Sequence, residues 1–435
     1  MNLFPQTLFI ETTTRCNLTC PMCARCAPGW RGGFGDMNLA AFERLDDSFR
    51  HARAVILNGM GEPLLHPDLP RMVRHVAERL PAGGWCGLQT NGLLLDERLA
   101  LLLAEAGLDV ACISHDGEGA ALGHGGSGPD DALSRATALL RAASAKAGRP
   151  MRLGLETVLM RGNIAQLPDL VRSAARLKLD FLLATHLLPM DAATESEALF
   201  LPCSAASLRI FAQHQAEARA RGLDLSGVPR AAVMVHRTPV ERELMDLLRR
   251  MHERAHAEGV WLNVGRLAQA DPARLEELAA VFDSARRLAK AAGLDLHLPA
   301  LTAPERPKDR RCGFVDQDAA FIDWRGNVSP CHFLWHGYAC RVLGDAKTVE
   351  PRRFGNVLEA SLTDIWRGQE FSRFRETVRN GEYPACGDCG SGLCSDASGV
   401  YGAFELDCLG VSVPCGHCPW AVGQLACLGS APGLG

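Results

Sequence analysis

The 435-residue sequence lacks a basic charge excess, a long apolar run and a basic amino-terminal leader. Its 46 Lys and Arg residues face 50 Asp and Glu residues, which gives a net charge of −4, so no cationic surplus is available to neutralise a nucleic-acid backbone. No stretch reaches the roughly 18 apolar residues that a membrane-spanning helix needs. The first residues, MNLFPQTLFIETTT, lack a basic segment followed by an apolar one. We therefore expect a cytoplasmic protein with no nucleic-acid or membrane partner.

The overall composition excludes a disordered or fibrous chain. Hydrophobic residues make up 47% of the sequence and charged residues 22%, values that are ordinary for globular domains. At about 100–200 residues per domain, the length predicts two or three domains with a sizeable core.

Cysteine, in contrast, is abundant and unevenly distributed. There are 17 cysteines, an odd number. In a chain expected to occupy a reducing compartment, they are more typical of metal binding than of disulfides. Ten of them lie from residue 312 onward, at positions Cys312, Cys331, Cys340, Cys386, Cys389, Cys394, Cys408, Cys415, Cys418 and Cys427.

The first 190 residues alternate between short apolar runs and amphipathic helical patterns. Such alternation predicts parallel strands, either in an open doubly wound sheet or in a (β/α) barrel. Six units favour a partial (β/α)6 TIM-like barrel in an α/β protein, over residues 1–190. The apolar runs that predict strands are 7–12, 54–59, 85–90, 108–114, 153–160 and 179–188.

The rest of the chain divides into two further regions. Residues 191–305 contain long Ala, Arg, Leu and Glu segments at 204–222, 239–259 and 272–293, which predict a helical insertion or linker. Residues 306–435 are rich in Cys and Gly, as expected where bound metal replaces part of a hydrophobic core.

Cys16, Cys20 and Cys23 form a C-x3-C-x2-C pattern immediately after the first predicted strand. A loop at the carboxyl end of a barrel strand is where such folds place their chemistry. Three thiolates can hold three irons of a [4Fe-4S] cluster and leave the fourth open to a substrate. The alternatives are a structural zinc knuckle or buried thiols, and Cys26 is a possible fourth ligand.

The segment TTTRCNLTCPMC resembles the cluster motif of the radical S-adenosylmethionine (SAM) superfamily. The resemblance implies a [4Fe-4S] cluster that binds SAM and, once reduced, cleaves it to methionine and a 5′-deoxyadenosyl radical. Further matches follow the predicted strands in order, in NGMGEPLLHP (58–67), QTNG (89–92), ISHDG (113–117) and HLLP (186–189).

These matches imply a set of SAM-binding residues. Gly59 and Gly61 would let the backbone approach the ligand, and Glu62 would accept hydrogen bonds from its amino group. His115 and Asp116 could contact the ribose, act in proton transfer or form a structural turn. The implied SAM contacts are Gly59, Gly61, Glu62, Asn91, Ser114, Asp116 and Leu188.

The carboxy-terminal region resembles the SPASM domain, which carries auxiliary [4Fe-4S] clusters in radical SAM enzymes that modify peptides and proteins. The likeness rests on C-x13-G-x4-C from Cys312 to Cys331, on FGN…IW…FR within 354–375, and on CGDCGSGLC at 386–394. Ser398 stands where the next cysteine of the pattern is expected, and Cys408 is a candidate for that role. The extended cysteine-rich end resembles a SPASM subgroup of maturases of tungsten-containing oxidoreductases.

Two auxiliary clusters need up to eight cysteine ligands, and ten cysteines are available. Cys340 lies outside every motif and is the expected non-ligand. Cys312, Cys331 and Cys408 are assigned to a nearer cluster. Cys386, Cys389 and Cys394, with one of Cys415, Cys418 or Cys427, are assigned to an outer one. Zinc ribbons are the alternative, because C-x2-C pairs suit zinc equally well.

The sequence therefore predicts a radical SAM enzyme with one SAM-binding and two auxiliary clusters. The resemblance implies a peptide or protein substrate, with maturation of a tungsten-dependent oxidoreductase as the more specific hypothesis, and a reduced flavodoxin or ferredoxin-type electron donor. Two alternatives stay open: an enzyme that acts on a small molecule, and a non-catalytic iron-sulfur scaffold for electron transfer.

Overall fold

A computed structural model describes residues 2–117, 129–390 and 394–429. The six predicted strands are present at close to their expected positions. They are β1 (Thr7–Ile10), β2 (Ala54–Leu57), β3 (Trp85–Thr90), β4 (Val110–Ser114), β5 (Arg152–Leu159) and β6 (Phe181–His186).

Within the described residues, eight further strands follow them. They are β7 (Leu201–Ser204), β8 (Asp295–His297), β9 (Thr302–Ala303), β10 (Ala319–Ile322), β11 (Asn327–Ser329), β12 (Tyr338–Val342), β13 (Asp345–Val349) and β14 (Gly355–Asn356).

Helices connect and cover the strands. The first six are α1 (Leu39–Glu43), α2 (Asp46–Phe49), α3 (Leu69–Ala77), α4 (Glu97–Ala106), α5 (Pro129–Ala147) and α6 (Leu167–Arg176). The next six are α7 (Ala192–Glu195), α8 (Ala205–Ala220), α9 (Val228–Val233), α10 (Pro239–Ala257), α11 (Val264–Leu267) and α12 (Pro272–Ala292). The last four are α13 (Gly313–Asp316), α14 (Leu362–Arg367), α15 (Gln369–Arg379) and α16 (Ser395–Ser398).

The boundaries of α4 show how local sequence sets these elements. The Asp96 side chain accepts a hydrogen bond from the Leu99 amide and caps the first turn. Gly107 ends the helix in the left-handed region with a φ of 99°, a conformation that glycine adopts without steric cost. The helix therefore begins and ends close to the predicted limits of 96–107.

The central sheet is the expected partial barrel with extra strands at both edges. Strands β1 to β6 run parallel in sequence order, and the full sheet has the order β14-β11-β10-β1-β2-β3-β4-β5-β6-β8. β8 adds in parallel to β6 and β10 in parallel to β1. Within the described residues the two edge strands do not pair with each other, so the α/β barrel is open.

The region expected to be one helical insertion is divided between two cores. α8 and α10 form a separate core with buried Ile210, Leu247 and Met251. α12 instead packs on α6 and places Phe282 and Ala285 in the barrel core. The reason is that α12 leads directly into β8, which needs a covering helix like every other strand of a parallel sheet.

The cysteine-rich end of the chain fills the inside of the open barrel. Side chains alternate along β1: Leu8 and Ile10 face the core under the helices, and Phe9 faces the interior. There the Phe9 ring stacks on Phe321 of β10, with 4.4 Å between ring centroids. The carboxy-terminal region therefore shares a core with the barrel. Within the described residues, none of the helices combines the length and apolarity that crossing a bilayer requires.

Paired substitutions would test this division of the helical region. We expect Phe282→Ala to destabilise the barrel by about 3–5 kcal/mol, because it empties a buried aromatic site, and amide hydrogen exchange should rise in α6 and β6. Leu247→Ala should cost about 2–5 kcal/mol with faster exchange confined to α8 and α10. Val235→Ala is the control, because Val235 is 89% exposed. Equal effects of both core variants on β6 would show that the region is one cooperative unit.

Candidate active site

The three amino-terminal cysteines lie in a loop after β1 that side chains hold in place. Thr13 Oγ1 and Arg15 Nε both donate hydrogen bonds to Asp36 Oδ1, at 2.7 and 2.9 Å. The Leu18 amide donates to Cys16 Sγ at 3.4 Å. The loop is thus fixed at its start, and its first thiol already has a backbone partner.

These thiols lie close enough to influence one another. Burial raises the pKa of Cys16, and the Glu62 carboxylate and Cys20 raise it further. Burial also raises the pKa of Cys23, with contributions from Cys26 and Cys20. Grouped thiols resist ionisation unless a cation compensates them, and the thiolate is the form that binds metal. The donor set therefore fits an iron cluster.

The GMGEP segment packs against the cysteine loop through its glycines. A Cβ atom on Gly61 would clash with the carbonyl oxygens of Thr13 and Arg15, and the Glu62 amide donates to the Arg15 carbonyl at 2.7 Å. A Cβ atom on Gly59 would meet the Glu11 side chain. These glycines thus allow close approach between two loops of the chain itself.

Glu62 is 3% exposed, and its carboxylate accepts several hydrogen bonds from neighbouring protein groups. The Thr90 hydroxyl donates to Oε1 at 2.6 Å, the Leu64 amide to Oε1 at 3.1 Å, and the Asn91 amide to Oε2 at 2.8 Å. Glu62 therefore connects the GMGEP segment to the end of β3.

A second buried carboxylate, which the sequence did not reveal, lies behind the same segment. Glu11 is 0% exposed, and its oxygens accept hydrogen bonds from the Met60 amide at 3.1 Å and from His336 Nε2 at 2.8 Å. Because His336 belongs to the carboxy-terminal region, this carboxylate connects the barrel to that region.

The mouth of the barrel holds a cavity of about 320 Å³. Six of the seven predicted SAM contacts line it together with the three cysteines. The predicted residues in its wall are Gly59, Gly61, Glu62, Asn91, Ser114, Leu188, Cys16, Cys20 and Cys23.

Asp116 is not among the cavity residues and has a structural position. It is 1% exposed, and its carboxylate accepts a hydrogen bond from the Val158 amide at 2.7 Å. The Asn163 side chain donates to its carbonyl at 2.9 Å. Asp116 thus joins the ends of β4 and β5. His115, also buried, is likewise absent from the cavity wall, which fits the interpretation of this segment as a structural turn.

Several cavity residues were not predicted, because the carboxy-terminal region supplies them. They are His332, Trp335, Tyr338, Trp420, Leu425 and Ala426, and Glu156 of β5 adds a carboxylate. No local pattern showed that the carboxy-terminal residues would line the cavity, because a segment distant in sequence brings them there.

The later cysteines form two groups, of which the first is mostly buried. Burial, with a contribution from Cys418, raises the pKa of Cys312 to about 12. The pKa values of Cys331 and Cys415 are raised mainly by burial, then by Cys418, and Cys312 contributes to both. We call Cys312, Cys331, Cys415 and Cys418 the inner group.

The second group lies nearer the surface. The pKa of Cys386 is raised to about 12, mainly by burial and then by the nearby thiols of Cys394, Cys408 and Cys389. Cys394 and Cys408 are exposed. We call Cys386, Cys389, Cys394 and Cys408 the outer group. A hydrogen bond of 3.0 Å from the Cys386 amide to the Gly416 carbonyl places the two groups side by side.

This grouping of thiols differs from the expected assignment to clusters, which stays a prediction. Cys408 belongs to the outer group, whereas Cys415 and Cys418 complete the inner one. Cys427 lies in the cavity wall instead, with its Sγ 3.4 Å from His332 Nδ1. Within the described residues, no three His, Cys, Asp or Glu side chains converge as a single metal ion would require.

Lys347 is a buried cation beside both groups. It is 4% exposed and pairs across the β12-β13 hairpin with Cys340. Its Nζ donates to the Ala397 carbonyl at 2.6 Å. Burial lowers the pKa of Lys347 to about 8, although the nearby Cys340, Cys386 and Cys418 act to raise this pKa. Its charge would offset part of the negative charge of thiolate-bound clusters.

The helical region supports the outer group directly. Asn263, the residue before α11, donates through Nδ2 to the Cys389 carbonyl at 2.6 Å. Arg266 of α11 donates through Nη1 to the Gly387 carbonyl at 2.7 Å. One role of this region is therefore to hold the loop that carries the outer cysteines.

Family comparisons agree with this geometry. Residues 10–119 match the radical SAM superfamily, and residues 312–390 match SPASM, an iron-sulfur cluster-binding domain. The chain is a radical SAM enzyme with a SPASM domain. Its cofactors are SAM, a SAM-binding [4Fe-4S] cluster and auxiliary iron-sulfur clusters. The matches favour an enzyme over a non-catalytic scaffold.

The curated relatives differ in how much of the chain they cover. The tungsten-containing aldehyde ferredoxin oxidoreductase cofactor-modifying protein of Pyrococcus furiosus is 28% identical over 95% of this radical SAM chain and 94% of its own length. The PqqA peptide cyclase of Granulibacter bethesdensis is 29% identical over 39% of this chain and 44% of its own length. The GTP 3′,8-cyclase of a Synechococcus strain is 38% identical over 26% of this chain and 33% of its own length.

A solved structure supports the fold. Streptococcus suis SuiB bound to S-adenosylmethionine superposes with a TM-score of 0.53 at 15% identity, covering 94% of this chain and 77% of its own. At this level of identity the likeness concerns the fold.

Iron analysis of single-cysteine variants would test the two groups. We expect Cys408→Ser and Cys415→Ser each to lower the iron content of the reconstituted radical SAM enzyme from about twelve to about eight atoms per chain, because each removes one of four ligands. Cys340→Ser is the matched control, since Cys340 is buried nearby but belongs to neither group. Unchanged iron in the Cys408 variant, or lost iron in the Cys340 variant, would contradict the grouping.

Proposed function

We propose that this enzyme carries out a radical modification in the maturation of a tungsten-containing oxidoreductase, with the protein or a peptide of that system as its substrate. The supporting observation is the similarity to the Pyrococcus cofactor-modifying protein, which extends over 95% of this chain. It includes the helical region and the cysteine-rich end. The similarity to the peptide and GTP cyclases covers 46% of the chain or less.

In this proposal Cys16, Cys20 and Cys23 hold the SAM-binding cluster. When bound, that cluster supplies the electron that cleaves SAM to methionine and a 5′-deoxyadenosyl radical. Gly59 and Gly61 keep the GMGEP backbone against the cysteine loop. Glu62 fixes the Asn91 amide at the end of β3, and Asn91, Ser114 and Leu188 complete the surface offered to SAM. Asp116 is assigned no SAM contact, because its carboxylate accepts a hydrogen bond from the Val158 amide of β5.

The inner and outer groups hold the two auxiliary clusters. The exposure of Cys394 and Cys408 makes the outer group the one that a protein electron donor can approach. We propose a reduced flavodoxin or ferredoxin-type donor in the cytoplasm.

The position of the cavity bears on the choice of substrate. It lies where the barrel meets the carboxy-terminal region, and its wall includes large apolar side chains such as Trp335, Tyr338 and Trp420. Such a wall suits part of a larger molecule that enters from the open side of the barrel. A small-molecule substrate is the second candidate, favoured by the partial similarity to GTP cyclases.

A triple variant would test the first step. Cys16→Ala, Cys20→Ala and Cys23→Ala together should remove about four irons and abolish 5′-deoxyadenosine formation from SAM under reducing conditions. The inner and outer groups should keep their iron, because they lie in a separate part of the fold. Cys26→Ala is the control and should retain both iron and activity. Loss of all iron from the triple variant would contradict separate sites.

The substrate proposal can be tested by stimulation of SAM cleavage. We expect 5′-deoxyadenosine formation to rise when the immature form of a tungsten-containing oxidoreductase from the same organism is added. The mature oxidoreductase should have no such effect. Stimulation by GTP or free amino acids, with none by the immature oxidoreductase, would favour the small-molecule alternative.

A further inference from the structure

Cys427 belongs to neither the inner nor the outer group, and unlike Cys340 it lies in the wall of the active-site cavity. The same cavity is lined by Cys16, Cys20 and Cys23 on the barrel side. Cys427 is 8% exposed. Cys427 therefore lines a space shared with the proposed SAM-binding residues and is largely shielded from bulk solvent.

The segment that carries Cys427 is fastened to the barrel mouth. The Ala426 amide donates to Thr185 Oγ1 at 3.0 Å, and Gln424 Nε2 donates to the Leu187 carbonyl at 3.2 Å. In return, the His186 amide donates to the Gln424 carbonyl at 3.2 Å. Three hydrogen bonds to the end of β6 hold this short segment in register, so Cys427 has a fixed place in the cavity.

A histidine holds the sulfur from the other side. His332 Nδ1 lies 3.4 Å from Cys427 Sγ, and the His332 ring packs edge-on against Phe9, Phe321 and Trp335. A side chain surrounded in this way has little rotational freedom. The Cys427 and His332 side chains therefore have a fixed arrangement in the cavity wall.

We propose that Cys427 is a catalytic residue that donates a hydrogen atom to the substrate radical. The inference rests on the proposed radical function and extends it to the second half of the reaction. A thiol S–H bond is weaker than most C–H bonds, so transfer of hydrogen from sulfur to a carbon radical is favourable.

After SAM cleavage, the proposed reaction consists of two hydrogen-atom transfers and one reduction. The substrate loses one hydrogen atom to the deoxyadenosyl group, which becomes 5′-deoxyadenosine. The carbon radical left behind takes the hydrogen atom of Cys427, which forms a C–H bond, breaks the S–H bond and leaves a thiyl radical. One electron from a low-potential one-electron donor of the ferredoxin class, with one proton from solvent, restores the thiol. The substrate keeps its oxidation level, and one SAM and two electrons are consumed. The product differs from the substrate when the hydrogen returns to the opposite face of the carbon, which inverts its configuration, or when the radical rearranges between the two transfers.

Deuterium labelling tests the donor without knowledge of the substrate. With SAM alone in D2O, the Cys427 thiol exchanges to S–D, and the deoxyadenosyl radical formed in the same cavity can take that deuterium. We expect wild-type enzyme to yield 5′-deoxyadenosine that is one mass unit heavier. Cys427→Ala and Cys427→Ser should lose this label. Alanine has no S–H bond, and the O–H bond of serine is too strong to give a hydrogen atom to a carbon radical. Cys340→Ala, which removes a buried thiol elsewhere, should retain it.

Iron content and thiol labelling give readouts other than activity. Both Cys427 variants should keep the full iron complement of about twelve atoms, and in the wild type SAM should slow alkylation of Cys427. Loss of about four irons in the variants would show that Cys427 is a cluster ligand and overturn the proposal. Unchanged deuterium in both variants would overturn it as well. Absence of 5′-deoxyadenosine from the wild type would instead refute the radical function itself.

Discussion

The buried carboxylate of Glu11 is the constraint on which the arrangement of the site depends. It lies at the end of the first strand with no exposure to solvent, and a carboxylate in that position is costly unless it is fully hydrogen-bonded. Its partners are the Met60 amide of the GMGEP segment and His336 of the SPASM region. Leaving a buried polar group without a hydrogen-bond partner typically costs about 1–3 kcal/mol, and more for a charged group. The GMGEP segment and the carboxy-terminal region are therefore bound to the same buried carboxylate.

This coupling explains why the cavity has walls from both ends of the chain. The barrel provides the cysteine loop and the ends of its strands. The SPASM region provides His332, Trp335 and Trp420. His332 follows the inner-group residue Cys331 directly, and Trp420 lies two residues after Cys418. The inner group is therefore built into the back of the cavity wall, so the position of its thiols and the shape of the cavity are set by the same segments.

The sequence predicted the barrel and its motifs well, because both are encoded locally. Apolar runs such as 85–90 and capping residues such as Asp96 and Gly107 act over a few positions, and the family motifs follow the strands in order. The two groups of later cysteines were not predictable in the same way. Cys408 and Cys415 are seven residues apart, yet they join different groups, because the chain between them turns from the surface into the core. The parallel pairing of β8 with β6 and of β10 with β1 likewise depends on contacts far apart in sequence.

The contacts that the helical region makes with the outer group were likewise not predictable from the sequence. The composition of this region predicted helices correctly, but no motif indicated that Asn263 and Arg266 would bind the carbonyls of Cys389 and Gly387. These two donors compensate backbone oxygens in a loop whose cysteines are partly exposed, and such a loop has little apolar burial of its own to fix it. The inner group is held by the buried core and the outer group by polar contacts from an insertion. A change at Asn263 or Arg266 would therefore alter the outer group first and leave the inner group and the cavity intact.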